Sequence, residues 1–295
     1  MPHDLGLALP AALALSAVLP GPAAAQGPVT PPWDTVATIL ETPAVPLAGY
    51  VRYNFPRRDF TARMGGVALA VPLAAGAWAG FAGTARDAVV MGDLVVTRDE
   101  LGPVETELLR QQIDVTGIHD HLVGEGPRLA YVHFHAEGKA VELARRLDSV
   151  LARTGTPRPV AAVAAPPVTI DTALVFRELG QSGHAQGNLA QLAFQLVTKR
   201  VRWHGHTLVP ALAYGTPVNI QAVNPSRAVA TGDFAVLESR VEGVLRAMTS
   251  HGIVAEALHT HMVGETPPIY FIHFWADGPL ADVVRGLKAA LDAAR

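Results

Sequence analysis

Three histidines recur in register along this chain. His119-Asp120-His121-Leu122-Val123-Gly124-Glu125 precedes His133-Phe134, and 140 residues later His259-Thr260-His261-Met262-Val263-Gly264-Glu265 precedes His273-Phe274. Only 12 of the 295 residues are His, so the repetition marks a site. Residues i and i+2 of a strand share a face, which aims His119 with His121 and His259 with His261. Pairing His119 with His133 centres a hairpin on residue 126, and pairing His259 with His273 centres one on residue 266. Each centre falls between a Glu and a Pro (Glu125 and Pro127, Glu265 and Pro267). Directly paired residues hold their Cβ atoms about 5 Å apart on one face. Each hairpin is therefore expected to gather three imidazoles on one side.

Three imidazoles are a competent shell for a divalent transition metal, with Zn the default and Cu or Fe alternatives. Three protein ligands leave a coordination position open, where a bound water becomes acidic enough for hydrolysis. Glu125 and Glu265 are then candidate catalytic bases or fourth ligands. The metal candidates are His119, His121, His133, His259, His261 and His273. Two other readings use the same residues. The imidazoles can act as hydrogen-bonding groups in a metal-free pocket for a small molecule, with Arg57 and Arg58 beside them, or they can simply pack between the two copies.

Other positions carry weaker signals. His135 follows the strand face of His133 and is a fourth-ligand candidate in the first copy, but Trp275 replaces it in the second. His204-Gly205-His206 reads as structural, because Gly65-Gly66 stand there in the first copy. Arg57-Arg58 and Lys199-Arg200 with Arg202 read as solvated faces rather than anion sites. Gly92-Asp93 and Gly232-Asp233 read as a turn or bulge whose Asp is placed to orient a ligand His. Asp120 has no acidic counterpart and reads as solvent-facing.

These residues need a scaffold that presents them twice. Strands are expected over Gly49–Phe55, Gly66–Leu73 and Asp87–Val96. Thr97 followed by Glu100 is a capping box that opens a helix, and Leu101, Val104 and Leu108 give it one apolar face. Val241, Val244, Leu245 and Met248 do the same in the second copy, and Gly252 stops that helix. Each His hairpin follows, and a last helix closes each unit through Val141, Leu147, Val150 and Leu151, or Val283, Val284, Leu287 and Leu291. The order is β-β-β-α-β-β-α, twice. The expected class is α+β, two tandem repeats of a mostly antiparallel sheet with two helices each, packed about a pseudo-two-fold axis. Repeat unit 1 is expected over 26–155, a Pro/Ala-rich linker over 156–171, and repeat unit 2 over 172–295.

Composition narrows the classes further. Hydrophobic residues make up 49% and charged residues 17% of the chain, a globular balance. The net charge of -3 offers no footprint for nucleic acid. The absence of Cys excludes a disulfide, a thiol nucleophile and a lipid-anchored cysteine. No Gly-rich phosphate loop or Gly-x-Ser-x-Gly elbow is present. Residues 1–25 read as a cleaved signal peptide. Leu5 to Leu19 is apolar, Pro10 and Pro20 break it, and Ala23-Ala24-Ala25 offer a cleavage site. The expected product is periplasmic or secreted, without an integral membrane segment. It is expected to be a monomer with pseudo-dimeric repeats, its partner a metal ion or small molecule.

The succession Gly-Asp, helix, His-x-His-hydrophobic-x-x-Glu-x-Pro and His-Phe strand resembles the LppY/LpqO-like family, a bacterial domain of unknown function, over most of the chain. That resemblance implies export, a tandem arrangement and a role for the six matching His positions, and it carries no established activity. The family often has Asn between the first two His. Asp120 and Thr260 stand there in this chain. His-x-His-x3-Glu also resembles the first cupin motif, but the next His follows too soon for a cupin barrel.

Overall fold

The computed structural model describes residues 32–295; residues 1–25, read above as a signal peptide, lie outside them. The first repeat runs α1 (Trp33–Leu40), β1 (Ala44–Leu47), β2 (Tyr50–Pro56), β3 (Arg63–Met64), β4 (Val67–Ala68), α2 (Val71–Ala74), β5 (Gly76–Gly83), β6 (Ala88–Thr97), α3 (Arg98–Arg110), β7 (Asp114–His119), β8 (Leu129–Gly138) and α4 (Ala140–Leu151). The second repeats this order: α5 (Thr172–Leu179), β9 (His184–Gln186), β10 (Leu189–Phe194), β11 (Arg202–Trp203), β12 (His206–Thr207), α6 (Pro210–Ala213), β13 (Thr216–Asn224), β14 (Arg227–Val236), α7 (Glu238–Ser250), β15 (Val254–His259), β16 (Tyr270–Gly278) and α8 (Leu280–Ala294). Most matching elements start 139 residues apart up to α2 and α6, and 140 apart from β5 and β13 onward, with β1 and β9, β6 and β14, and β8 and β16 each off by one residue. That one-residue step hides the likeness of the N-terminal halves from a fixed-offset comparison.

Each repeat builds a six-stranded sheet, in the orders β1-β2-β5-β6-β8-β7 and β9-β10-β13-β14-β16-β15, with antiparallel pairing throughout. The outer face of each sheet is apolar. Val90, Leu94, Val132 and Phe134 join Val104, Leu108, Leu143 and Leu147 of α3 and α4 in one core. Ala230, Phe234, Ile272 and Phe274 join Val244, Met248, Val284 and Leu287 of α7 and α8 in another. Strand alternation therefore leaves Met91, Asp93, Tyr131 and His133 on the inner face of the first sheet, and Thr231, Asp233, Phe271 and His273 on that of the second. The two inner faces meet, which gives four layers in the order helices, sheet, sheet, helices.

Arms cross that interface. A third cluster joins Tyr50 and Met91 of the first repeat to Trp203, Leu208, Leu212, Met262 and Phe271 of the second. In return Gln221 of β13 accepts the Ala70 N–H at 2.7 Å and donates to the Ala68 carbonyl at 2.9 Å. Trp275, Val229 and Leu189 reach into the first core.

The expected strand over Gly66–Leu73 is instead a two-residue hairpin arm leading into α2. The central strand β5, Gly-Ala-Trp-Ala-Gly-Phe-Ala-Gly, gives little signal because Gly and Ala are poor strand formers; burial between β2 and β6 makes it a strand. The helix α1 precedes the first expected strand, and its counterpart α5 opens the second repeat. The helix start at Thr97 is as read, with the Thr97 N–H donating to Glu100 at 2.8 Å, and Gly252 takes the left-handed conformation (φ 72°) that stops α7.

Candidate functional site

The strand pairing that carries the histidines is two residues away from the expected register. His119 lies opposite Tyr131, and Gly117 opposite His133, after a bulge between Val115 and Gly117. In the second repeat His259 lies opposite Phe271, and Ala257 opposite His273, after a bulge between Ala255 and Ala257. The turn is not a tight hairpin. Residues 120–128 form a loop whose Gly126 exchanges hydrogen bonds with Arg63 at 2.8 and 2.9 Å, and Thr266 does so with Arg202 at 2.9 and 2.8 Å. The arm thus draws each loop sideways. A slip of two residues keeps side chains on the same face, where a slip of one would have inverted them. His121 and His261 lie beyond the strand ends, yet their rings remain beside those of His119 and His259, with centroids 5.0 and 5.1 Å apart. Each stacks on an aromatic of its own repeat, His121 on Tyr131 at 3.4 Å and His261 on Phe271 at 3.3 Å.

The six rings form one cluster between the sheets, not two. His119 and His259 meet at 3.8 Å between centroids, His121 and His273 at 3.7 Å, and His133 and His261 at 3.8 Å. His119 and His133 share a hydrogen bond, Nε2 to Nε2, at 2.7 Å. Four groups of donor atoms close to within 4.8 Å of one another: His119, His133 and His259; His119, His121 and His273; His259, His261 and His273; and Asp93, His121 and His133. His133 and His273 are buried, and the other four rings are half-buried.

Asp93 and Asp233 sit mid-strand in β6 and β14, not in a turn. Asp93 lies directly across from His133, and Asp233 from His273. His121 Nε2 is 3.4 Å from Asp93 Oδ2, and His273 Nδ1 is 2.8 Å from Asp233 Oδ1, although that ring nitrogen also faces the Gly232 carbonyl at 3.3 Å. The repeated Gly-Asp was the available signal. Its glycine half is explained by close approach: a Cβ on Gly92 would stand 2.2 Å from the Trp78 carbonyl oxygen, and one on Gly232 would stand 2.1 Å from that of Pro217.

Burial sets the protonation of this cluster. It lowers His119 to about 4 and His259 to about 2, with His273 adding to the first shift and His119 to the second. It also pushes His121, His133 and His261 well below the usual histidine range. Those five rings are neutral near pH 7, the form that binds metal. Burial, with Asp233 nearby, raises Asp93 well above the usual carboxylate range. Several of these buried atoms have no hydrogen-bond partner among the described residues: Asp93 Oδ1, His121 Nε2, both nitrogens of His259, His261 Nε2 and His273 Nε2. Buried polar atoms are normally satisfied, so this concentration points to a group that pairs with them. Converging neutral imidazoles beside carboxylates suit a borderline transition cation.

Glu125 and Glu265 belong to none of the four converging groups. Glu125 Oε1 accepts the Leu129 N–H, and Glu265 Oε1 the Ile269 N–H, each at 3.1 Å. Burial raises both carboxyls, Glu125 to about 7. His135 belongs to none of the four donor groups; its ring lies 3.7 Å from Trp203 and lines a small cavity with His133, Met91 and His261. His204 and His206 approach Glu137 on the surface, His206 at 3.3 Å and His204 at 3.8 Å. Arg57 is not a solvated cation. It is fully buried, pairs with Asp59 at 2.8 Å and Glu100 at 2.7 Å, and donates to the Val95 carbonyl at 2.6 Å. Arg58 donates to the Ala161 carbonyl. Neither arginine is among the residues that line the small cavity beside the histidines. Asp120 pairs with Arg98.

A sequence family described as "Domain of Unknown Function (DUF1259)" matches residues 34–153 and again residues 173–293. No curated protein matches the chain. Two solved shell proteins of the RMM microcompartment align with it. A double-ringed trimeric shell protein shares 10% identity over 73% of this chain and 86% of its own, with a TM-score of 0.21. A fused permuted hexameric shell protein shares 19% identity over 71% and 85%, with a TM-score of 0.18. At such scores neither likeness bears on fold or function.

Proposed function

The chain belongs to the DUF1259 family, in two tandem copies, and on that footing we propose that it binds a first-row divalent transition metal in the pooled histidine cluster between its repeats. The observation that carries this reading is the set of buried imidazole nitrogens and carboxylate oxygens that converge without partners among the described residues. Zn(II) is the reference ion and Cu(II) and Fe(II) the alternatives, because imidazole with carboxylate suits all three. The protein acts as an exported metal-binding or metal-handling module. The LppY/LpqO-like resemblance and the signal-like residues 1–25 support a periplasmic or secreted location, with repeat units over 26–155 and 172–295 joined by the linker 156–171. Among the described residues no helix is long and apolar enough to cross a membrane.

The test is metal analysis of full-length protein prepared without a His tag, supplemented with Zn(II) and then desalted. Stoichiometric metal is expected, with most of it lost in the His119→Ala/His259→Ala double variant. Retention below about 0.2 equivalents by the unaltered protein, or unchanged retention in the double variant, overturns the reading.

A further inference from the structure

Resting on that metal-binding reading, we propose that the cluster is a two-ion centre with unlike sites, one built by each repeat. His259, His261 and His273 hold one ion, and Asp93, His121 and His133 hold the other. Two ions need ligand sets that share no residue. Of the four groups that close to within 4.8 Å among the described residues, these are the only two that are disjoint. Ring spacing selects the same two. An imidazole nitrogen sits about 2 Å from its ion and the ring centre about 1 Å beyond, so two rings at a tetrahedral angle hold their centres about 5 Å apart. His259 stands 4.7 Å from His273 and 5.1 Å from His261. Three ring pairs are too close to share an ion: His119 with His259 at 3.8 Å, His121 with His273 at 3.7 Å, and His133 with His261 at 3.8 Å. Each of the other two groups contains one of those pairs, and the proposed sets contain none.

The sets differ because the repeats use their carboxylates differently. In the first repeat His119 Nε2 is bonded to His133 Nε2 at 2.7 Å, and Asp93 stands as the third ligand in place of His119. Asp93 Oδ2 is 3.4 Å from His121 Nε2, and Oδ1 is 3.8 Å from His133 Nδ1. Both spacings exceed a good hydrogen bond and lie near the roughly 3.3 Å between two ligands of one ion. In the second repeat Asp233 Oδ1 stands 2.8 Å from His273 Nδ1, which leaves His273 Nε2 for the ion. That atom, both nitrogens of His259 and His261 Nε2 have no hydrogen-bond partner among the described residues, and neither have Asp93 Oδ1 and His121 Nε2. A single ion on either set would leave the buried atoms of the other unpaired, at the usual cost of unsatisfied polar groups. His119 is then a positioning residue for His133, and loss of such a partner costs about 10–100-fold in metal affinity. The His119→Ala/His259→Ala variant therefore weakens both sites.

Zn(II) titration of the tag-free full chain, followed by desalting and elemental analysis, tests this. About two equivalents are expected, and about one in His121→Asn or in His261→Asn. The double variant Asp93→Asn/His121→Asn, which strikes one set twice, keeps about one equivalent; His121→Asn/His261→Asn, which strikes both sets, keeps almost none. Equal retention by the two doubles, or the reverse order, overturns the ligand assignment. His119→Asn should raise the Zn(II) dissociation constant of one equivalent about 10–100-fold and leave the other unchanged; equal weakening of both overturns its positioning role. One equivalent in the unaltered protein overturns the two-ion claim and leaves metal binding standing, and no metal overturns both. Should the variants fail to fold, anomalous diffraction from Zn(II)-loaded crystals of the unaltered protein gives an independent readout. Two zinc peaks are expected, each about 2.0–2.2 Å from the donor atoms of its own set. A single peak, or a peak liganded by both His121 and His273, overturns the proposal.

Discussion

Glu125 and the histidines it neighbours in sequence titrate in opposite senses, and the difference is measurable. In the unfolded chain a histidine takes up its proton near pH 6.5. Folded His119 and His259 resist protonation down to about 4 and 2, because burial disfavours the charged ring. The unfolded state therefore binds more protons below pH 6.5, and stability falls as pH drops through that window. Folded Glu125 keeps its proton up to about 7, above the unfolded value, so its contribution is lost as pH rises from roughly 4.5 to 7. In metal-stripped protein, urea midpoints against pH should show both limbs. Glu125→Gln should shrink the upper limb, to which Glu265 and Asp93 also contribute, and His119→Asn/His259→Asn the lower, to which His121, His133 and His261 also contribute. A lower limb of undiminished size in the double variant contradicts this account. Glu125→Ala differs from Glu125→Gln in removing the acceptor of the Leu129 N–H. It should cost about 1–3 kcal/mol in denaturant unfolding, while Glu125→Gln costs little.

Among the elements, β6 and β14 bear most on the site, since each presents its Asp across from the third histidine. Gly92 and Gly232 precede those Asp residues in positions that admit no Cβ. The atom met first belongs to the backbone of β5 or β13 and cannot rotate away. Gly92→Ala should therefore force β5 and β6 apart, with a loss on the scale of overpacking, about 1–3 kcal/mol, and weaker metal retention as Asp93 shifts. Gly102→Ala in α3, where a Cβ meets nothing within 4 Å, serves as the control and should be neutral or stabilising. Equal melting temperatures for the two variants would refute the steric argument. The capping box that starts α3 and the bulges in β7 and β15 complete the presentation, by deciding where the His-bearing strand begins and how far it slides.

For the whole molecule the central fact is that its inner layer is shared. The outer layers are conventional apolar cores, one per repeat. The layer between them mixes side chains of both, through the crossed arms and the imidazoles. Gln221 is a clear polar tie of one repeat to the arm of the other, making both an accepted and a donated hydrogen bond. Gln221→Ala should leave the Ala70 N–H without its acceptor, cost about 1–3 kcal/mol, and lower the melting temperature by several degrees for a chain of this size, roughly 2–4 °C per kcal/mol. Metal content should be retained, since Gln221 lies outside the donor groups. A melting temperature unchanged within error means the tie is not structural.

Much was legible in one dimension because it depends on local spacing. Period-two alternation places His119 and His133 on one face whether the strands pair as expected or two residues away, so the site survives an error in register. Thr97 and Glu100 announce a helix because a cap is a contact between near neighbours. What distance along the chain does not encode was decided by packing. Arg57 reads as a surface cation until Asp59 and Glu100 close around it, and β5 has the composition of a loop until two strands flank it. That six histidines make one cluster, with His121 beside His273, follows from how two inner faces dock. Each trio is a property of its own hairpin, but the distance between trios is set by contacts between residues more than a hundred positions apart, which only the folded chain brings together.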